Sequence, residues 1–252
     1  MYEAPRFFEA GDCALVVELG EAIDPGINDR VRALMQAIEG LKARGISDIV
    51  PSYRSLMIAY DPTLTCRDDL VEMVARADGD LGKAGVVERR VVTLPTLYGG
   101  EHGPDLDHVA EHAGIEADQV VSLHSGVDYR VYMIGFAPGF PYLGGLPQQL
   151  ATPRLATPRV RIPAGSVGIA ESQTGVYPAA SPGGWRLIGR TPVRLFDPER
   201  DPPSLVVAGD YIRFAALRSE EEYSRIAEEV EAGVYQPDVA SARTPTSVPA
   251  GA

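Results

Sequence analysis

The sequence predicts an α+β protein of two domains, in which an α/β domain precedes a small β-barrel or sandwich. Up to about residue 90, apolar side chains alternate between the periods of strands and of helices. From residue 129 to residue 214 the chain instead consists of short β-prone pieces separated by Gly and Pro, a pattern typical of barrels and sandwiches. Hydrophobic residues make up 45% of the 252 residues and charged residues 23%, so both domains can bury a core.

The first domain, residues 1–90, is predicted to run strand, helix, strand, strand, helix, strand. The strands are expected at 13–19, 49–53, 55–60 and 86–94. The two helices carry apolar stripes at the spacing of one helix face, at Ile27, Val31, Leu34, Ile38 and Leu41 and at Leu70, Val74, Ala77 and Leu81. This order is the split βαβ arrangement of ferredoxin-like domains, which by itself indicates no function.

The second domain, residues 91–218, begins with a Gly-rich loop and two short helices at 105–113 and 116–125. Its strands are expected at 130–134, 160–162, 167–170, 186–188, 193–196 and 210–214. A charged amphipathic helix follows within residues 219–235. The tail, residues 236–252, is rich in Pro, Ser, Thr and Ala without periodicity, which predicts disorder.

Charge and cysteine content exclude several classes of function. The formal charge of −12 repels a phosphate backbone, so no nucleic-acid partner is expected. Cys13 and Cys66 lie far apart and outside any Cys-x-x-Cys spacing, so neither a disulfide framework nor a cysteine zinc site is predicted. No secretory signal pattern is present, and no apolar run approaches the roughly 18 residues that span a bilayer. A cytoplasmic location without a membrane partner is therefore expected.

One segment matches the H-x-x-E-H pattern of a class of zinc peptidases, at His108, Glu111 and His112. On the short predicted helix, however, Val109 marks the buried face and both histidines fall on the opposite, solvated side. No downstream segment offers an obvious third ligand. No metal site is predicted.

Other expected motifs of a self-contained enzyme are missing from the sequence. There is no G-x-x-x-x-G-K-[ST] loop and no G-x-G-x-x-G between a strand and a helix. There is also no G-x-S-x-G elbow. Neither a complete nucleotide pocket nor a hydrolase triad is therefore predicted.

Residues 132–146 combine aromatic side chains with glycines and prolines, which is poor material for a helix or a central strand. Gly permits close backbone approach and Pro removes chain entropy, so one interpretation is a rigid loop that displays aromatic surface. The other is an internal loop that plugs one end of the barrel, because aromatic loops often only pack. The substrate-binding or partner-facing candidates in this loop are Phe136, Pro138, Phe140 and Tyr142.

Polar candidates follow the aromatic loop. Arg159 and Arg161 alternate in a strand-like segment, which places them on one face. Two such arginines can clamp a carboxylate or a phosphate, and they can equally form surface ion pairs. The segments beyond add further donors and the only Trp of the chain, at Ser166, Gln173, Tyr177, Trp185 and Arg190. This mixture suits the binding of a small polar molecule.

Four runs in this region carry a family resemblance. They are GFAPGFPYLGGL at 135–146, TPRLATPRVRIPAGSV at 152–167, QTGVYP at 173–178 and SPGGWRLIGRTPVRLFDP at 181–198. Together they resemble the family that comprises the B subunit of 5-oxoprolinase, allophanate hydrolase subunit 1 and the histidine-kinase inhibitor KipI, and the resemblance extends over about residues 7–214. The one departure is Glu171-Ser172, where a pair of small residues such as Gly-Gly is expected before Gln173.

The resemblance implies a ferredoxin-like N-terminal domain and a cyclophilin-like C-terminal β-barrel. It also implies a hydrolase component that works only with two partners, which resemble the A and C subunits of 5-oxoprolinase and are termed the A-type and C-type partners. The assembled enzyme would be an ATP-dependent 5-oxoprolinase that opens 5-oxo-L-proline to L-glutamate, with ATP shared with or bound by one partner. ATP is needed because a five-membered lactam is a stabilised amide, and phosphorylation of its carbonyl oxygen makes the carbon reactive to water.

Such a site needs cations for phosphoryl and carboxylate charge, an acid–base group, and donors at the developing oxyanion. From residue type and place in the matching motifs, Arg159 or Arg161 would hold negative charge and His124 would relay a proton. Gln173 and Tyr177 would orient the amide. The predicted catalytic residues are therefore His124, Arg161, Gln173 and Tyr177.

The resemblance leaves two alternatives open, because all members share the barrel motifs. KipI-like members bind a sensor histidine kinase and block its autophosphorylation, so the chain could be a regulatory binding module without turnover. It could also be a component of a urea or allophanate amidolyase. A peptidyl-prolyl isomerase activity, suggested by the barrel fold alone, is not expected.

Overall fold

The computed structural model describes residues 1–81 and 87–244 of the chain. It separates into two compact units, Met1–Glu88 together with Arg243 and Thr244, and Arg89–Ala242. This division falls two residues before the boundary that the sequence predicts after residue 90. Among the described residues, no helix is long and apolar enough to cross a membrane.

The first unit combines a four-stranded sheet with two helices. Its elements are β1 (Arg6–Glu9), β2 (Ala14–Glu18), α1 (Pro25–Leu41), β3 (Ile46–Pro51), β4 (Ser55–Tyr60) and α2 (Arg67–Asp80). The sheet order is β1-β2-β4-β3, and every neighbouring pair is antiparallel. One core joins the buried residues of β2, β4 and both helices.

Helix α1 begins and ends at residues whose chemistry suits these positions. The Asp24 side chain accepts a hydrogen bond from the Ile27 amide at 3.0 Å, which satisfies one free donor of the first turn. Pro25 occupies the first turn, where its missing N–H costs nothing. Lys42 ends the helix in the left-handed conformation. The predicted stripe is confirmed at Ile27, Val31, Leu34 and Ile38, which are buried. It is wrong at Leu41, the last residue of the helix, which is 56% exposed.

The fourth strand of the first sheet differs from the prediction. The sequence placed it at 86–94, after the second helix, but the strand found there, β5 (Val87–Tyr98), belongs to the sheet of the second unit. Its place beside β2 is taken by β1. Because β1 and β2 are joined by a short turn with Gly11 at a φ of 71°, this pairing needs little loop-closure entropy.

The second unit is a closed β-barrel with peripheral helices, which confirms the predicted α+β class with a C-terminal barrel. After β5 its elements are α3 (Leu106–Ala113), α4 (Ala117–Ser125), β6 (Asp128–Ile134), β7 (Pro141–Gly144), β8 (Arg159–Ile162), β9 (Ser166–Ala170), β10 (Gln173–Val176), β11 (Ser181–Gly183), β12 (Arg186–Arg190), β13 (Tyr211–Ala216), α5 (Glu220–Glu231) and β14 (Val239–Thr244). Seven strands run in the order β12-β9-β10-β7-β6-β13-β5, and β12 pairs with β5 to close the ring. Strand β14 extends the sheet beside β5, and β8 and β11 form a separate ribbon.

Two sequence predictions for the second unit need correction. Residues 236–252 were expected to be disordered, but Val239–Thr244 is the strand β14, since an unpaired edge of β5 accepts it. The remaining residues 245–252 lie outside the described part of the chain. Residues 193–196 form no strand, although Val193 and Leu195 are buried in the barrel core as an apolar segment would be.

A buried amide ties α1 to the β3–β4 turn, and its removal is expected to destabilise the protein. The Asn28 side chain is fully buried and donates to the carbonyls of Ser52 and Tyr53 at 3.2 and 3.3 Å. Asn28→Ala should lower the free energy of unfolding by about 1–3 kcal/mol, measured by urea denaturation, because buried acceptors lose their donor. Gln36→Ala, at an exposed position of the same helix, should stay within about 0.5 kcal/mol of the parent. Equal effects of the two variants would contradict this role.

Candidate functional site

The second unit contains a hydrophobic cluster separate from the barrel core. It comprises the buried residues Phe140, Ile162, Ala170, Tyr177, Trp185 and Leu187, with Ala137 and Tyr142 packed against them. We call this set the aromatic cluster. It brings together side chains from the 135–140 loop, the β8–β11 ribbon and three barrel strands. Each of the four runs that carry the family resemblance contributes at least one side chain to it.

Phe140 lies at the centre of the aromatic cluster. Its ring centroid is 5.1 Å from that of Tyr142, 5.5 Å from Tyr177 and 5.8 Å from Trp185, with interplanar angles of 64°, 80° and 88°. Edge-to-face pairs of this kind contribute about 0.5–1.5 kcal/mol each beyond the burial of their area. Their orientations are therefore fixed by packing and not only by exclusion from water.

Two glycines make this packing possible. A Cβ at Gly175 would lie 2.9 Å from the Trp185 ring, and one at Gly183 would lie 2.5 Å from the Tyr177 hydroxyl oxygen. Both distances are shorter than carbon contacts allow, so any side chain at either position would displace an aromatic ring. The glycines of the Q-T-G-V and S-P-G-G runs thus allow the rings of Trp185 and Tyr177 to pack directly against the backbone.

Tyr177 is held with its hydroxyl protonated. Burial raises the pKa of Tyr177 to about 12, although a hydrogen bond from the Trp185 amide and the charges of Arg154 and Arg159 act in the opposite direction. The group is therefore neutral at physiological pH and has a proton to donate. This fits the predicted role of orienting an amide by hydrogen bonding.

Arg159 is held in an ion pair beneath the cluster. One of its terminal nitrogens lies 2.8 Å from Asp105 Oδ1, and the other donates to the Trp185 carbonyl at 3.3 Å. Asp105 is buried, and its Oδ2 accepts from the Leu187 amide at 2.6 Å. Of the two interpretations of the arginine pair, the ion pair therefore holds for Arg159.

Arg161 and Arg154 are different, because neither forms an ion pair with a carboxylate in the described part of the chain. Arg161 is exposed on β8, next to Ile162 of the aromatic cluster. Arg154 is exposed too, with its guanidinium 6.0 Å from the centre of the Trp185 ring. Both guanidinium groups are thus available to an anionic ligand or partner.

The 135–140 loop both packs and displays aromatic side chains. Phe140 is only 3% exposed within the cluster, whereas Phe136 is 69% exposed and its ring centroid lies 5.4 Å from that of Phe140. Phe136 also has a φ of 64°, the left-handed region that non-glycine residues rarely adopt. Pro138 is exposed, and Tyr142 is half-buried. Phe136 therefore displays aromatic surface, as the first interpretation has it, whereas Phe140 packs in the aromatic cluster and not in the barrel core.

His124 lies away from the aromatic cluster, fully buried on α4 beside the rings of Tyr129 and Phe214. Its Nδ1 is 2.8 Å from the Tyr98 hydroxyl and its Nε2 is 2.9 Å from the Thr174 hydroxyl.

Because the Thr174 hydroxyl donates to the Gly168 carbonyl at 3.1 Å, its oxygen must accept from His124 Nε2. Tyr98 then donates to Nδ1. Burial lowers the pKa of His124 to about 3, so the imidazole is neutral at physiological pH. This placement favours a structural role for His124 over the proton relay that the sequence suggested.

The structure does not place the other polar candidates inside the aromatic cluster. Ser166 is buried on β9, where it pairs with Arg190 of β12. The Arg190 Nε donates to the Ala164 carbonyl at 2.8 Å. Gln173 is half-buried at the start of β10, opposite Ala170. Their roles remain predictions.

The departure from the family pattern has a structural counterpart. Glu171 has a φ of 51° between β9 and β10, a conformation that glycine adopts without cost. Its amide and carbonyl pair with Thr152 at 2.8 and 3.2 Å, which fixes the start of the Thr-Pro-Arg segment. The small residue expected here would fit the same backbone with less strain.

Asp105 and Arg154 were not among the residues predicted for this site. Asp105 stands 54 positions before its partner Arg159, and no local pattern connects them. Arg154 belongs to the first Thr-Pro-Arg triplet, whose recurrence was the one available signal.

The H-x-x-E-H segment lies on α3 as predicted, with Val109 buried and His108, Glu111 and His112 exposed. Among the residues that the structure describes, no group of three or more His, Cys, Asp or Glu side chains could hold a metal ion.

The chain matches one protein-family model and is similar to several known proteins. A family model described as "Carboxyltransferase domain, subdomain C and D" matches residues 5–206. The chain is 41% identical over 235 residues to the B subunit of 5-oxoprolinase from Bacillus subtilis (strain 168), covering 88% of this chain and 96% of that protein. It is 43% identical over 209 residues to the protein of the same name from Escherichia coli O157:H7, covering 83% and 94%.

Solved structures show the same fold within longer chains. TTHA0988 superposes with a TM-score of 0.72 at 37% identity, over 82% of this chain and 40% of that one. The urea carboxylase of Kluyveromyces lactis superposes with a TM-score of 0.78 at 22% identity, over 96% of this chain and 24% of that one. At that identity the second likeness shows the fold alone.

Removal of the Asp105 carboxylate is expected to destabilise the second unit. Asp105→Ala should lower the free energy of unfolding by about 3 kcal/mol or more, because it leaves Arg159 without its counter-charge and the Leu187 amide without an acceptor. The loss is measured by urea denaturation. Glu72→Ala, which breaks an ion pair exposed at 73% and 75%, should change it by no more than about 0.5 kcal/mol. A similar small change for Asp105→Ala would show that the buried pair contributes little.

His124 should make the protein less stable as the pH falls. Its pKa drops from an ordinary 6.5 to about 3 on folding, so between these values the unfolded chain binds a proton that the folded chain excludes. The free energy of unfolding is therefore unaffected by the protonation of His124 above about pH 6.5. Below about pH 6.5 it falls by up to about 1.4 kcal/mol per pH unit.

Urea denaturation between about pH 7 and pH 5 should therefore show a shallower pH dependence for His124→Gln than for the parent. His108→Gln, at an exposed position, should keep the parental slope. Parallel slopes for all three proteins would exclude this linkage.

Proposed function

The chain belongs to the carboxyltransferase domain family, subdomain C and D, and from this premise we propose that it is the B subunit of an ATP-dependent 5-oxoprolinase. The observation that carries the proposal is the match to two proteins of that name, at 41% and 43% identity over 96% and 94% of their lengths. The urea carboxylase likeness, at 22% identity, shows the fold alone and adds no support for the amidolyase alternative. No contact in the described chain favours the kinase-inhibitor alternative over the enzyme.

The reaction opens 5-oxo-L-proline to L-glutamate. ATP phosphorylates the lactam carbonyl oxygen, which turns a poor electrophile into one that water attacks. The substrate enters with a carboxylate and acquires further negative charge at the phosphoryl group. Cations and hydrogen-bond donors around the reacting carbonyl are therefore the groups that this reaction requires of a protein.

Arg161 is the residue of this chain best suited to hold that negative charge. Its side chain is exposed on β8, one residue before Ile162 of the aromatic cluster, and it forms no ion pair in the described part of the chain, whereas Arg159 is paired with Asp105. A planar guanidinium binds a carboxylate or phosphoryl group through two parallel hydrogen bonds. Tyr177, with its pKa raised to about 12, would remain a neutral donor throughout the reaction.

We infer that the site is completed by the A-type and C-type partners, and that ATP is shared with or bound by one of them. The free arginines stand on an open surface, and the described residues contain no cluster of carboxylates or histidines for a metal ion. In TTHA0988 the matching segment makes up 40% of a longer chain, which is consistent with a unit that functions beside further domains. The exposed, free thiols of Cys13 and Cys66 fit a reducing cytoplasm.

The proposal is tested by co-purification with the products of neighbouring genes, followed by an assay of glutamate release from 5-oxoproline with and without ATP. Release is expected only from the assembled complex and only with ATP. Glutamate formation by this chain alone would contradict the division of the site between several proteins. A stable complex without glutamate formation would contradict the proposed reaction.

Arg161→Ala should abolish ATP-dependent glutamate formation by the assembled complex. Loss of a charge-assisted contact in a transition state costs about 100-fold or more in rate, and the parental thermal midpoint is expected because the side chain is exposed. The matched control is Arg44→Ala, an exposed arginine of the first unit, which should leave turnover unchanged. Unchanged turnover by Arg161→Ala would remove this residue from the site.

A further inference from the structure

Positive charge is concentrated in one part of this acidic chain. Residues 129–196 contain seven arginines, no lysine and a single acidic residue, Glu171, which gives a net charge of +6. Because the whole chain carries −12, the residues outside this segment together carry −18. The segment includes most of the aromatic cluster and both free arginines beside it. Arg130 is buried and Arg159 is paired with Asp105, but Arg154, Arg161 and Arg194 are exposed. Positive charge at the surface attracts acidic partners and repels basic ones.

Apolar side chains are exposed on two of the segments that contribute to the aromatic cluster. Val160 is 91% exposed on β8 and Phe136 is 69% exposed at its loop, and Pro138 is exposed between Phe136 and the packed Phe140. Single exposed apolar residues need no explanation, but aromatic residues and arginines together are the composition of protein interfaces. Phe136 contacts the aromatic cluster through Phe140, and Arg154 does so through Trp185.

The backbone at Phe136 is strained in a way that presents its ring to solvent. Its φ of 64° is maintained by hydrogen bonds on either side, from the Gly135 amide to the Phe140 carbonyl at 3.1 Å and from the Phe140 amide to the Ala137 carbonyl at 3.0 Å. A glycine would close this loop without strain. Non-glycine residues in this region are enriched at ligand-binding sites, where the conformation itself is used.

Arg154 is also held in place before any partner arrives. The Leu155 amide donates to the Gly184 carbonyl at 2.7 Å, and the Arg186 Nε donates to the Pro153 carbonyl at 3.2 Å. Hydrogen bonds therefore hold the backbone on both sides of Arg154, at Pro153 and at Leu155. A fixed segment loses less conformational entropy when it binds than a free loop does.

We propose that Phe136, Pro138, Arg154 and Val160 form a docking face that binds an acidic surface of the C-type partner. The identity of the partner rests on the proposed function. Phe136 supplies the apolar anchor, and Arg154 with the surrounding positive charge selects and steers the acidic surface. Arg161 lies beside this face and meets the substrate at its edge. A second copy of the chain is a poorer occupant, because a twofold contact would place the same positively charged face against itself.

The anchor is tested by binding of the purified full chain to the C-type partner of the same organism, followed by biolayer interferometry. Phe136→Gly relieves the left-handed strain, so the thermal midpoint should stay level or rise while the affinity falls at least about tenfold. Ile23→Ser, a change at an apolar residue 58% exposed in the first unit, should bind like the parent. Unchanged affinity of Phe136→Gly would overturn the proposal.

The charge is tested by the salt dependence of the association rate. Arg154→Glu should slow association at about 50 mM NaCl, and its rate should depend less on salt up to about 300 mM than that of the parent. Arg44→Glu makes the same change of charge in the first unit and should keep the parental dependence. If Arg44→Glu and Arg154→Glu slow association equally, the charge is not local and the docking face is wrong.

Glutamate assays on the same complexes separate this proposal from the proposed function. A complex that depends on Phe136 and Arg154 but releases no glutamate supports the docking face and contradicts the reaction. An active complex with binding unaffected by either variant supports the reaction and overturns the docking face. Self-association of the chain that disappears in both variants, with no binding of the C-type partner, also overturns it.

Discussion

The buried ion pair between Asp105 and Arg159 is the interaction on which the arrangement of the site depends. It joins the loop before α3 to β8 at 2.8 Å, and the same carboxylate accepts the Leu187 amide of β12 at 2.6 Å. Arg159 in turn holds the Trp185 carbonyl. Three segments distant in sequence are thus fixed around one aromatic cluster. A buried pair adds little net stability compared with apolar packing, but loss of one partner is costly, so it acts mainly to specify geometry.

The elements that the sequence predicted well are those defined by local pattern. Helix α1 has a capping Asp24, Pro25 in its first turn and an apolar stripe, and all of these signals lie within a few residues of one another. The first sheet was predicted less well, because nothing local distinguishes a strand that pairs with β2 from one that enters a barrel. The sequence of strand β5 is compatible with either setting, and the competing hairpin of β1 with β2 decides its place. Strand β14 was missed for a related reason, since its pairing comes from β5 and not from its own composition.

The motifs indicated which segments form the candidate site, but not which of its polar side chains are paired and which are available. Arg159 and Arg161 are two positions apart on β8 and indistinguishable in sequence, yet one faces Asp105 and the other solvent. His124 carries the most versatile acid–base group of the predicted set, but its place on α4 among Tyr98, Tyr129 and Thr174 depends on the barrel closing around it. Burial and long-range partners, which no spacing encodes, decide which polar residues remain available for chemistry.

The two hydrophobic clusters of the barrel unit differ in their access to solvent, which supports the proposal that the chemistry takes place at the surface. The larger core is closed by apolar residues of seven strands, and the buried His124 beside it is neutral and hydrogen-bonded at both ring nitrogens, so it offers no place for a charged substrate. The aromatic cluster is smaller and borders solvent where the exposed Phe136 and Arg154 lie against Phe140 and Trp185. Negative charge that develops there in an open site would be screened by water, and the arginines would stabilise it weakly. Coverage by a second protein surface would remove that water, so the same interaction that recruits the partner would also strengthen the site's electrostatics.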